Sequence, residues 1–374
     1  MSISKHEFQR RHKAIQKLME TDGLDSLLVI GRGDDFSRGN IRYITGSGRG
    51  GCCIVPREGP PFFLTGLRQS TSPKLRVTMS AIELLELRET AQPTEEAIKV
   101  LSRLDKGNKI GIIGMDCISV PMYLAIKEAF SERAVDKTGM FEPLRTIKSA
   151  EEIENTRRAA AIADTVFHHL REIIRPGLSE YEIYGTVKKI NYEMGCEYSF
   201  DLIDGAGATM NMSFYPTTDK LEANGTLFME ITPSYDGYYA QLPVTIPVVE
   251  YPPHVRQMAS AWKEADKATR PLLRPGTKVS DVYHMLVNTV RKQGFISPLR
   301  PGHAIGLDAL DFWSITEDNH RVLAAGMVLA VHPSVFQELG GDGCGMGYTY
   351  LITESGCEKL SKIDLAKELL GSEV

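Results

Sequence analysis

The chain has 374 residues, of which 42% are hydrophobic and 24% charged, and a formal net charge of -5. This length is long for one hydrophobic core, so two domains are expected, with the composition of an ordinary globular protein. The negative charge argues against a nucleic-acid partner, and no apolar run approaches the ~20 residues that cross a bilayer, so no membrane partner is expected either.

Residues 1–11 are polar and charged where a secretory signal would carry an apolar stretch, which predicts a helix and a cytoplasmic protein. The six cysteines include no pair with the two-residue gap of zinc or redox motifs. Adjacent Cys52 and Cys53 lie in an apolar strand-like run and read as small buried hydrophobes. From Phe8 to about Met140, apolar runs at Ser26-Leu-Leu-Val-Ile, Cys52-Cys-Ile-Val, Pro61-Phe-Phe-Leu-Thr and Ile110-Gly-Ile-Ile-Gly alternate with helical stretches, the pattern of an α/β domain. Ser149 and Glu152 have the spacing of a capping box, so a new helix opens there and a boundary falls near residues 143 to 150. The expected division is 1–145 and 146–374.

The second half repeats itself. Leu170-Arg-Glu-Ile-Ile-Arg-Pro-Gly177 and Ala268-Thr-Arg-Pro-Leu-Leu-Arg-Pro-Gly276 each precede a helix that closes on a glycine, Gly195 or Gly294, at the same interval. The Pro-Gly pair stops one helix, and Ser179 or Ser280 is expected to cap the next. Strand-like material follows at 226–231, 238–249, 327–332 and 349–353, so two α-α-β-β units are expected to form one curved sheet backed by helices, with a ligand in the cleft between the halves. The acidic end, 368–374, reads as a frayed terminus.

At this point the chain resembles the creatinase and aminopeptidase P family. The N-terminal blocks are Gly23-Leu-Asp-Ser-Leu-Leu-Val and Asn40-Ile-Arg-Tyr-Ile-Thr-Gly-Ser-Gly; Arg145-Thr-Ile-Lys-Ser-Ala-Glu-Glu-Ile leads into the second domain. Tyr235-Asp-Gly-Tyr-Tyr, Pro301-Gly-His-Ala-Ile-Gly-Leu-Asp, Ala325-Gly-Met-Val-Leu-Ala-Val-His-Pro and Leu351-Ile-Thr-Glu-Ser-Gly-Cys-Glu follow in the family's order. The resemblance implies an α/β N-terminal domain plus an α+β pita-bread C-terminal domain with an internal pseudo-twofold repeat, usually as a homodimer.

The same resemblance implies a site much altered from that of the family's peptidases, which hold two metal ions on two aspartates, one histidine and two glutamates. At those positions stand Glu230, Gln241, His303, His332 and Gly347. Gln241 is neutral and Gly347 has no side chain, so the usual pair of ions is not expected. Two further histidines of the family are replaced by Ser213 and Leu310. A two-residue turn at Asp236-Gly237 would pair residue 232 with Gln241 and put Glu230 beside Gln241.

Three readings follow. The first is a creatinase-like hydrolase without cofactor, acting on a C–N bond of a small carboxylate-bearing molecule. In it His303 transfers protons, His332 and Glu230 complete the catalytic group, and Gln241, Ser213 and Arg49 bind substrate. Arg49 aligns with the creatinase arginine that crosses the dimer to the substrate's carboxylate. The second is a single divalent ion at Glu230, His303 and His332, in a hydrolase or lyase. The third is a binding protein without catalysis. Tyr348 and Tyr350 flank the lost glutamate position and read as packing residues.

Overall fold

The computed structural model describes residues 3–34, 36–66, 79 and 81–371. The chain divides into two compact units, Met1–Arg145 and Thr146–Val374. The first unit contains a six-stranded sheet of β1 (Leu24–Gly31), β2 (Gly51–Pro56), β3 (Phe62–Thr65), β4 (Glu86–Glu89), β5 (Lys109–Ile113) and β6 (Ala134–Asp136), in the order β4-β3-β2-β1-β5-β6. The apolar runs form the four central strands. The edge strands β4 and β6 carry no such run: β4 is Glu-Leu-Arg-Glu, charged and half-exposed, as befits an edge. Helices Pro93–Leu104 and Val120–Phe130 cover one face through Ala97, Val100, Leu101, Met122 and Ile126.

In the second unit the repeat is visible element by element. Helices Ala150–Ile173 and Glu180–Glu193 lead to β7 (Leu202–Asp204), β8 (Thr226–Ile231), the hairpin β9–β10 (Ser234–Tyr235 and Tyr238–Tyr239) and β11 (Leu242–Pro247). Helices Pro253–Thr269 and Val279–Lys292 lead to β12 (Gly302–Ala304), an inserted β13 (Asp311–Ser314), β14 (Val328–Val331), the hairpin β15–β16 (Ser334–Phe336 and Gly343–Gly345), β17 (Tyr348–Ile352) and β18 (Cys357–Lys359). The antiparallel orders β7-β8-β11 and β12-β14-β17 match. Gly177 and Gly276 donate to equivalent carbonyls, Leu221 at 2.8 Å and Leu323 at 2.9 Å.

Three expectations are corrected. The two copies pair as a three-stranded and a five-stranded sheet rather than one. Where β11 and β17 approach, the Thr349 hydroxyl accepts from the Gln241 amide at 2.8 Å and donates to its carbonyl at 3.0 Å, in place of a backbone ladder. Ser179 caps its helix in a full capping box, but the equivalent cap of the second copy is Lys278, which makes no side-chain cap bond; Ser280 lies inside that helix. The acidic end is also ordered further than expected. Helix Leu365–Leu370, capped by Asp364, buries Leu369 and Leu370, while 372–374 fall outside the described residues.

All four long helices contribute to a core on one side of these sheets, and helix Ala150–Ile173 also packs, through Ala159 and Ala160, on Val328, Ala330 and Leu351 of the other face. Phe167, Leu170, Val187, Trp262, Leu286 and Val290 meet Leu227, Met229, Ile231, Val244, Leu329 and Val331 in one core. By the period-two alternation of strands, the intervening residues face the other way. No helix among the described residues is long and apolar enough to cross a membrane.

Candidate functional site

The site is built on the sheet face opposite that core. Asp236 (φ +46) and Gly237 (φ +83) are both left-handed, the conformation of a two-residue type I′ turn. That turn fixes the register Tyr238↔Tyr235, Leu242↔Ile231 and Pro243↔Glu230. Met229 and Ile231 are committed to the helical core, so Glu230 emerges on the opposite face, where Gln241 Nε2 donates to its Oε1 at 2.6 Å. The sequence register is the observed one.

The second copy supplies the imidazoles. Ala304 and Val331 belong to the helical core, so their neighbours His303 and His332 turn to the other side. Gly302 brings the two strands together: at φ +156 its missing Cβ would lie 2.3 Å from the Ala330 carbonyl oxygen. His332 N donates to the Pro301 carbonyl at 2.8 Å, and the two rings meet edge to face with centroids 5.2 Å apart. His303 Nδ1 donates to the Ala304 carbonyl at 2.9 Å, so the neutral ring presents Nε2 as an acceptor. His332 Nε2 and Gln241 Oε1 are shielded from solvent with no hydrogen-bond partner.

Burial dominates the electrostatics. It pushes the Glu230 carboxyl up to about 7; Arg300 opposes this shift and Asp201 adds to it. Burial takes His303 down to about 4, the Ala304 carbonyl opposing and Arg300 adding, and it also takes His332 well below the usual imidazole range, with His303 and Arg300 adding. The expectation that His303 exchanges a proton near neutrality is therefore corrected: both imidazoles are neutral there, and Glu230 is the group that titrates.

The other residues named from the sequence are placed as follows. Ser213 pairs with Ile203 of β7, and its hydroxyl donates to the Tyr215 carbonyl at 2.8 Å in a local turn. Arg49 belongs to the first unit, where it is exposed and lines a pocket of that unit. Tyr348 and Tyr350 turn to the helical core, the first accepting from Leu365 N and the second donating to Asp266. Sequence reasoning missed Arg300 and Asp201. Arg300 immediately precedes the Pro301-Gly-His303 block, and that adjacency was its signal. Asp201 is buried, accepts from Thr232 N and pairs with Lys188 at 2.7 Å, none of which its sequence surroundings announce.

The relatives agree with this architecture. Residues 11–147 match the model of the creatinase/prolidase N-terminal domain, and residues 154–354 match that of metallopeptidase family M24. The chain is 24% identical over 344 residues to the uncharacterized peptidase YqhT of Bacillus subtilis, covering 89% of this chain and 92% of that one. Its fold is similar to that of an Xaa-Pro dipeptidase from Bacillus anthracis (TM-score 0.82, 21% identity, 95% of this chain and 98% of that one). It is equally similar to an X-Pro aminopeptidase from Thermotoga maritima (0.82, 19%, 94% and 97%).

The metallopeptidase match overturns the expectation of an enzyme without a cofactor, because metal-dependent hydrolysis is the chemistry of that family. The residues present nevertheless do not fit the family's pair of ions. Gln241 offers an amide that is already donating to Glu230, and a Cβ at Gly347 would lie 2.3 Å from the Val331 carbonyl oxygen and 2.5 Å from His332 Cβ, so the strand has no room for a ligand there. Nor are Glu230, His303 and His332 gathered as a single-ion site: among the described residues no group of three His, Cys, Asp or Glu could hold a metal ion. With both domain models matched in order and a two-domain fold shared with prolidases, the chain belongs to metallopeptidase family M24, a family of hydrolases, as a member with an altered site.

Proposed function

We propose that this protein hydrolyses a C–N bond in a small carboxylate-bearing molecule at the face formed by Glu230, Gln241, His303 and His332. The observation that supports this reading is the buried, unpartnered Oε1 of Gln241, on the amide that donates to a carboxyl held up to about 7, with His332 Nε2 likewise buried and unpartnered. Unsatisfied buried polar atoms are costly, and a polar ligand removes that cost. A carboxyl titrating near neutrality is suited to exchange a proton with a water or a leaving nitrogen. Gln241 holds that carboxyl in place, and turning its amide over would let protonated Glu230 donate to Oε1, so the pair serves both protonation states. His303, neutral and fixed by the Ala304 carbonyl, accepts a hydrogen bond at Nε2. Arg300, whose charge reaches Glu230, His303 and His332, is the cation suited to the substrate's carboxylate.

The test is a hydrolysis screen of N-substituted amino acids and Xaa-Pro dipeptides, the substrates named for the structural neighbours, with divalent ions present. Wild type is compared with Glu230→Gln, His303→Ala and Arg300→Ala. Turnover with a pH limb near neutrality that Glu230→Gln abolishes, and a KM rather than kcat effect of Arg300→Ala, would support the reading. Turnover undiminished in both Glu230→Gln and His303→Ala would place the chemistry elsewhere.

A further inference from the structure

Strand β13 does not run regularly past His303. Gly302 O accepts from Ile315 N at 2.9 Å and His303 lies opposite Ser314, a register whose next step would set Trp313 opposite Ala304. The observed partner of Ala304 is Asp311, so Phe312 and Trp313 are carried in a bulge. Both rings pack on the helical core, which two consecutive residues of a regular strand cannot do. Phe312 stands at φ +27, in the left-handed region that a bulky side chain resists. Backbone strain of this kind persists only where the surrounding structure holds it, and it gathers at sites that use it.

The hold on this bulge is buried. Asp311, at its foot, pairs with Lys148 at 3.2 Å, and the Lys148 amide donates to the Gly326 carbonyl at 2.9 Å, just before β14. Strand β14 is the other neighbour of β12, so the bulge is tied across the strand that carries His303. Gly306 leaves the room for it, since a Cβ there would lie 2.4 Å from Asp311 Oδ2. The group whose surroundings the bulge changes is the Ala304 carbonyl. In the regular register the Trp313 amide would donate to that carbonyl, whereas here His303 Nδ1 donates to it at 2.9 Å.

We propose that Phe312 is a positioning residue: by holding the strained bulge it presents the Ala304 carbonyl to His303 and so fixes the ring as the tautomer whose Nε2 is a bare acceptor. The use made of that acceptor rests on the hydrolase reading above; the tautomer itself does not. A bare Nε2 takes a hydrogen bond from a water or an N–H of the substrate, while the other tautomer would set a donor against the same group. The bulge therefore decides the sign of the hydrogen bond that His303 can offer a ligand.

The test compares Phe312→Gly with Phe312→Val in the full-length protein near neutral pH, with histidine nitrogens labelled for NMR and the His303 signals assigned by their absence in His303→Ala. Glycine removes the whole ring yet adopts a positive φ without strain, whereas valine keeps more apolar bulk and opposes that conformation. A residue needed only for packing would make glycine the worse substitution; one needed for the bulge makes valine the worse. The expected result is a protonated Nδ1 and a bare Nε2 in wild type and Phe312→Gly, and loss of that pattern in Phe312→Val. In the hydrolysis screen Phe312→Val should lower kcat on the order of a hundredfold with KM little changed, and Phe312→Gly should retain it. A wild-type His303 protonated at Nε2, a pattern lost in the glycine variant, or a pattern kept in the valine variant would each overturn the assignment. Should Phe312→Val fail to fold, the glycine variant decides: retention of the pattern without the ring supports the assignment and its loss overturns it. With the expected pattern but no turnover of any substrate tried, the hydrolase reading falls and the assignment of Phe312 stands.

Discussion

Glu230 holds its proton up to about 7 in the folded chain against 4.5 for a free side chain, so the folded state binds more protons between those values. The stability it contributes is whole below its unfolded pKa and is lost as pH rises through the folded one. His303 is shifted the opposite way, to about 4 from 6.5, so its contribution is present above its unfolded pKa and is lost as pH falls through the folded value. Between about pH 5 and about pH 8 the two contributions oppose, so the Glu230 share is read as a difference: relative to wild type, Glu230→Gln should gain stability on the order of 2 kcal/mol across that range in thermal unfolding. An unchanged slope in that variant would assign the titration to another group. Lys148 and Asp311 form an ion pair at 3.2 Å with side chains 3% and 2% exposed. Lys148→Met, which leaves a buried carboxylate without that partner, is expected to cost about 3 kcal/mol by denaturant unfolding.

Among the elements, the hairpin at Asp236-Gly237 carries most of the site's geometry, because its register decides which residues of β8 and β11 face away from the helices. Its residues were legible as a turn from the sequence alone, since Asp-Gly readily takes the paired left-handed conformation. Gly347 was legible as a lost ligand but not as a steric necessity. Only the strands' approach shows that any side chain there strikes the backbone of Val331 and His332. Gly347→Glu is therefore expected to destabilise the fold by several kcal/mol rather than restore a metal ligand, and calorimetric unfolding with a metal titration would check it. At the uncapped second copy of the repeat, Lys278→Ser should stabilise by about 0.5–1 kcal/mol, and Ser179→Ala should lose a similar amount in the first copy, since a hydroxyl at that position pairs an orphan helix amide. No gain in melting temperature for Lys278→Ser would show that the cap of the second copy is satisfied in another way.

At the scale of the molecule, homodimerisation remains a proposal that the creatinase resemblance carries. The second unit exposes Phe214, Tyr215 and Leu339, with Tyr215 79% and Leu339 77% accessible, large apolar surfaces of the kind a partner covers. Sedimentation should give twice the chain mass of 41.5 kDa. A monomer at micromolar concentration would leave these residues exposed and remove the basis for any site shared between copies.

The sequence by itself determined the two-unit α/β and pita-bread fold, the internal repeat, the hairpin register and the altered family positions. The division, the repeat and the register rest on local chemistry, namely apolar periodicity, Pro-Gly and Asp-Gly stops and the capping box at Ser149, whereas the pita-bread fold and the altered positions came from the resemblance carried by motifs in order. It could not determine which group titrates near neutrality. That depends on how deeply Glu230 and His303 are buried and on Arg300 and Asp201 lying beside them, none of which is a property of a single segment. Nor could it show that Tyr348 and Tyr350 turn away from the site while Glu230 and His303 turn toward it, because the face a strand residue takes is decided by the helices that pack against the sheet. The pocket beside Arg49 is likewise a product of the tertiary structure: its walls come from three strands and two helix starts distant in sequence, brought to one edge only when the sheet forms.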